Sequence, residues 1–145
     1  MLKKMKKIIR FKILDIDDSD ELLKIEIHLN NGLFSSTLEI YDYIESIQKF
    51  GIELTEFPNS KSDEVIYKIG EKGEKWAFYL LLKACYKSDN NSFVIKTKTN
   101  NNGFNDSFAQ SEFEIIFEPA SINRFGESLR NWNPKDKKII EWNEL

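Results

Sequence analysis

Apolar and polar residues alternate with period two over most of residues 8–40, the mark of strands with one buried face. Ile9, Phe11 and Ile13 fall on one side, Arg10 and Lys12 on the other. After an acidic turn, Leu23, Ile25, Ile27 and Leu29 share a side, with Lys24, Glu26 and His28 opposite. Asn30-Asn31-Gly32 tolerates positive φ, so a tight hairpin is predicted there. Phe34, Ser36, Leu38 and Ile40 continue the inward set, while Ser35, Thr37 and Glu39 point outward. The prediction is a three-stranded antiparallel meander with one dry and one wet face.

The period then changes. Tyr43, Ile44, Ile47 and Phe50 recur at helical spacing, Asp42 with Glu45 resembles a capping box, and Gly51 suits a left-handed C-cap. A helix is predicted over 42–50, lying on the meander's apolar face. Pro58-Asn59-Ser60 reads as a loop. Strand patterns return with Val65, Tyr67 and Ile69. In the next strand Trp76, Phe78, Leu80, Leu82 and Ala84 form one face, and Ala77, Tyr79, Leu81 and Cys85 the other. Apolarity on both sides predicts an interior strand. Phe93, Ile95 and Thr97 form a further strand, and Phe113, Ile115 and Phe117 another. Between them, residues 100–106 are rich in asparagine and read as a mobile loop. Pro119 ends the strand before it. Ser121 is predicted to cap a second helix with the stripe Ile122, Phe125 and Leu129, extended by Trp132 and stopped by Pro134. Ile139-Ile140-Glu141-Trp142 can dock as a short last strand. The order β-β-β-α-β-β-β-β-α predicts an α+β fold: a largely antiparallel, meander-rich sheet with two helices on one side.

A chain of 145 residues with 41% hydrophobic content predicts a single domain, 1–145, with a real core. The net charge of −3 hides an uneven distribution. Residues 1–12 carry six basic groups and no acidic ones, while residues 13–60 carry two basic and eleven acidic. The basic segment Met1–Lys7 is read as a solvated, partly disordered terminus. Lys3, Lys4, Lys6, Lys7, Arg10 and Lys12 could meet phosphates. No interleaved aromatics or RNA-binding strand motif accompany them, so nucleic acid is not the expected partner. Ile8-Ile9 is followed at once by Arg10, so no signal h-region forms, and no run approaches a membrane span. With one cysteine and no signal, the expected compartment is a reducing cytoplasm, without a disulfide-linked partner.

Candidate chemistry is sparse. Asp15, Asp17, Ser19 and Glu26 match some positions of a calcium loop, but Asp20 stands where glycine is needed and the flanks are strands. The segment is read as a solvated turn. His28 lies on an outward face near Glu26, Ser35 and Thr37, without a nucleophile elbow or oxyanion hole, and is read as a surface histidine. Cys85 sits in the most apolar strand and is read as a buried, inert thiol. Gly70 and Gly73 have the wrong spacing for a phosphate loop. No catalytic residue, metal site or cofactor is expected. The outward Glu26 and Glu39, beside Asp17, Asp18 and Asp20, suggest an acidic docking face for a basic protein.

The whole resembles a group of small bacterial proteins encoded beside polymorphic toxins. It is similar to the immunity proteins of cell-wall-associated contact-dependent toxins. The resemblance lies in Asn31-Gly32-x-Phe34 within the opening meander and in Glu74-Lys75-Trp76-Ala77 leading into a leucine- and tyrosine-rich strand. It lies too in Glu118-Pro119-Ala120-Ser121 before the helix that ends Ser128-Leu129-x-x-Trp132. It implies a binding protein rather than an enzyme, one that covers a cognate toxin domain, often a nuclease. It also implies that Phe34, Trp76 and Trp132 pack in the core. Contact residues do not transfer from such a family, so they are chosen on physical grounds. One candidate surface is Glu26, His28, Ser35, Thr37 and Glu39 with Asp17, Asp18 and Asp20. The other is the asparagine-rich loop, with Asn101, Asn102, Phe104 and Asn105. The alternatives are an interaction domain with a different protein partner, or an enzyme or small-ligand binder.

Overall fold

A computed structural model describes residues 6–71, 78–103 and 107–144. The elements run β1 (Lys7–Ile16), β2 (Leu23–Asn30), β3 (Ser35–Asp42), α1 (Ile44–Thr55), β4 (Val65–Ile69), β5 (Tyr79–Lys87), β6 (Ser92–Asn100), β7 (Gln110–Phe117), α2 (Pro119–Arg130) and β8 (Ile139–Glu144). The strands form two antiparallel sheets, β3-β2-β1-β8 and β4-β5-β6-β7. The tail strand thus closes back beside β1, with Phe11 opposite Ile140 and Ile9 opposite Trp142.

The sheets run across each other. β3 touches β6 at its start, where Ser36 and Thr99 share a 3.0 Å hydrogen bond. It touches β4 at its end, where the Tyr67 hydroxyl donates to Asp42 at 2.7 Å. The parallel-running β1 meets β7 at Lys7 and β4 at Phe11. A strand that visits β6 or β7 first and β4 later crosses the second sheet, the geometry of orthogonal packing. The helix pair packs beneath β1 and β8: Phe125 and Trp132 place their rings 6.1 and 6.5 Å from Phe11, and the Trp142 indole donates to Ser121. One hydrophobic cluster draws on both sheets and both helices.

Two glycines let the helices touch. Gly51 and Gly126 face each other so closely that a methyl on Gly51 would lie 2.7 Å from the Gly126 carbonyl oxygen. Gly51 is therefore an interior residue of α1 and not its cap, and the helix runs on to Thr55. The carbonyls at its end are satisfied by Asn123 of α2, whose amide donates to Leu54 and Phe57. Asp42 does not cap α1 either. The N-cap is Tyr43, without a side-chain bond, because the Asp42 carboxylate is engaged by Tyr67. Likewise α2 begins with Pro119 at its first turn, and Ser121 bonds Glu118 from inside the helix.

Three further expectations change. Lys7 is not part of a free arm: it opens β1, pairs with Glu144 at 3.3 Å and donates to the Ile116 carbonyl. Phe34 does not enter the core. The hairpin loop spans residues 31–34, closed by the Asn31 amide on the Phe34 carbonyl, so Phe34 precedes the alternation of β3 and stands 67% exposed. Trp132 is buried as expected, while Trp76 lies outside the described residues. Finally, the meander-rich strands divide into two sheets rather than one, since β4 pairs only with β5 and never with β3.

Candidate functional site

The register fixes the wet face of the first sheet. One row crosses it as Thr37, His28, Arg10 and Glu141; the next as Glu39, Glu26, Lys12 and Ile139. His28 and Thr37 share a 2.8 Å hydrogen bond. Burial, then the neighbouring Arg10 guanidinium, holds the imidazole below its usual range, so the ring is neutral at pH 7. Arg10 donates to Glu141 at 2.8 Å, which lowers that carboxyl. Glu26 and Glu39 stand directly opposite, an unfavourable like-charge pair. Lys12 beside Glu26, and Lys24 at 3.6 Å from Glu39, offset it. The face is thus a mixed charge lattice, acidic only toward β3. Ser35 and Thr37 lie at that acidic side.

The acidic turn is internally bonded. Asp17 accepts from the Ser19 amide and hydroxyl, which pulls its carboxyl below the ordinary range. Asp20 accepts from the Leu22 amide and from the Tyr43 hydroxyl at 2.9 Å. Asp18 is exposed in the same turn. Among the described residues no group of three or more acidic, histidine or cysteine side chains is placed to hold a metal. The turn therefore anchors α1's start to the meander.

The second candidate surface also turns inward. Asn101 accepts from the amides of Gly103 and Ala109 and donates to the Ser107 carbonyl, so one side chain ties both arms of the loop. Asn102 donates to the Glu71 carbonyl. Phe104 and Asn105 lie outside the described residues. Asparagines at 100–102 thus have structural work, which composition alone cannot distinguish from recognition. Cys85 is buried as expected, with its thiol pushed up by burial. It shares the second sheet's outer face with Val94, which is fully buried. The Lys87–Glu114 ion pair at 2.5 Å runs from β5 to β7 and so passes diagonally over Val94 on β6.

Two features were not read from the sequence. The first is the hairpin tip: Leu33 and Phe34 are 57% and 67% exposed, and Tyr41 on β3 and Tyr43 just after it are exposed as well. The signal was present, since two consecutive large apolar residues follow the turn-forming Asn31-Gly32. The second is a groove of about 450 Å³ between the acidic turn, the start of α1 and the segment after α2. Ile16, Leu23 and Ile44 form its apolar wall, and Glu21 reaches Lys135 at 2.5 Å beside it. Glu21 holds a left-handed backbone, φ 63°. Gln48 of α1 donates to the Trp132 carbonyl at the groove's base.

No protein-family model, curated protein or solved structure matches this chain. No helix among the described residues is long and apolar enough to cross a membrane.

Proposed function

We propose that the chain is a toxin-neutralising protein that binds a basic, cognate toxin domain and blocks its activity. The observation that carries the reading is the hairpin tip. Leaving Phe34 in water forgoes about 3 kcal/mol that covering its exposed ring would supply. An aromatic anchor beside a second apolar residue, set among polar and acidic groups, is the composition of a protein-docking hot spot. Between residues 31 and 48 there are three carboxylates and no lysine or arginine, so the complementary surface is basic. The resemblance to immunity proteins supplies the class of partner, and a nuclease toxin is basic because it must attract phosphate.

The test is co-expression with the C-terminal domain encoded by the adjacent open reading frame, scored by host growth. Rescue from an otherwise lethal domain is expected. Phe34→Asp is expected to weaken the complex by at least about thirtyfold, roughly 2 kcal/mol, while leaving the unfolding midpoint unchanged. A lethal domain that is not rescued despite soluble expression would overturn the reading; rescue and affinity untouched by Phe34→Asp would remove the hairpin tip as the contact.

A further inference from the structure

Among the described residues four strands lie at sheet edges, and three of them touch another element. β8 packs on α2, with the Trp142 indole bonded to Ser121. β4 packs on α1. The Ile116 carbonyl of β7 receives the Lys7 ammonium. β3 differs. The bond from the Asn31 amide to the Phe34 carbonyl sets the parity of the β2–β3 ladder. Ser36, Leu38, Ile40 and Asp42 then point their backbone groups at β2, while Ser35, Thr37, Glu39 and Tyr41 point theirs outward. Among the described residues nothing bonds these outward groups. Proteins usually blunt such an edge with proline, lysine or a bulge. β3 has none of these, and its bulge-free eight residues pair regularly along their whole length.

We propose that β3 is a docking edge that takes an extended, basic segment of the partner protein as an added antiparallel strand. This rests on the protein-binding reading above and states its mode. Each outward residue offers one N–H and one C=O, so main-chain pairing supplies the affinity and the side chains supply the choice of partner. Phe34 at one end and Tyr41 and Tyr43 toward the other offer apolar anchors. Glu39, set directly opposite Glu26 and half exposed, favours lysine or arginine on the incoming strand. In the self-paired register centred on Glu39, a second copy of β3 would set carboxylate against carboxylate across the new ladder.

The probe is a short synthetic peptide of alternating lysine and valine, about as long as β3, with its glutamate–valine counterpart as control. Backbone amide shifts of the full chain are followed during titration. The expected result is a saturable response at residues 35, 37, 39 and 41 with the lysine peptide alone. Thr37→Pro removes an outward N–H and places a ring where the added strand must lie, and it is expected to weaken binding at least about tenfold. Thr37→Ala, which loses only the bond to His28, is expected to bind as the parent does. Should Thr37→Pro fail to fold, Glu39→Lys serves, with preference shifting from the lysine toward the glutamate peptide. An equal response to both peptides, no saturable response, or concentration-dependent pairing of the chain with itself at these amides would overturn the proposal. Failure here leaves host rescue intact if only the docking mode is wrong; failure of rescue with peptide binding intact would overturn the toxin reading instead.

Discussion

A single methyl group at Gly51 tests whether the helix pair is packed as described. Added to Gly51, it would lie 2.5 Å from the Arg130 amide nitrogen, 2.7 Å from the Gly126 carbonyl oxygen and 2.7 Å from the Leu129 Cβ. None of these atoms can be moved by a rotamer change, so the helices must part by about 1 Å to restore ordinary contact. Parting them loosens Ile47, Leu54, Ile122 and Leu129, all fully buried in the shared core. Overpacking of this kind costs about 1–3 kcal/mol, and the gap opened around it adds to that. Alanine's better helix propensity returns about 1 kcal/mol. Gly51→Ala is therefore expected to lose about 1–2 kcal/mol, a sizeable share of a typical domain's stability, and roughly 3–7 °C in unfolding midpoint. Denaturant and thermal unfolding measure it, with Glu53→Ala on the exposed side of α1 expected within about 0.5 kcal/mol of the parent. In the Gly51→Ala/Gly126→Ala double variant the second methyl is expected to cost less than it does alone, because the first has already opened the gap. A Gly51→Ala protein as stable as the parent, or more so, would refute the close approach.

Two titrations probe groups at the sheet junction and on the wet face. Burial, aided by the Asp42 carboxylate, pushes the Tyr67 hydroxyl well above its usual range, so the folded state keeps a proton that the unfolded chain gives up. Stability from this group is complete below pH 10 and declines as pH rises through that value; Tyr67→Phe is expected to flatten that part of the pH–stability curve and to cost about 1 kcal/mol at neutral pH. A curve unchanged in slope would refute the buried hydrogen bond. For His28 the folded value is depressed, so its contribution is present above pH 6.5 and is lost as pH falls. An NMR titration is expected to give a midpoint below 6.5, rising in Arg10→Gln, which removes a nearby cation; a midpoint above 6.5 in the parent would refute the placement.

Much of this fold is written locally. Period-two alternation identifies β1 to β3 and their buried faces because a strand's side chains alternate regardless of what lies beyond it. The apolar stripe Ile122, Phe125 and Leu129 marks α2 for the same reason. The misreadings fall where local pattern meets a distant partner. Gly51 looks like a cap until Gly126, on another helix, shows why a residue without a side chain is needed inside α1. Asp42 looks like a cap until Tyr67 claims its carboxylate. Asn101 looks like a recognition residue until its loop folds back around it.

Element order, the α+β class, the hairpin at Asn31-Gly32 and the acidic character of the segment containing β3 are all legible in the sequence. All of these depend on neighbours along the chain. Long-range packing decided that the strands divide into two crossed sheets, that Phe34 stands in solvent and that β3 lies at a sheet edge. Those depend on which distant surfaces come together, and hydrogen-bond parity at a sheet edge has no side-chain pattern to announce it. The backbone groups are the same in every residue, so whether they are free is settled by packing alone.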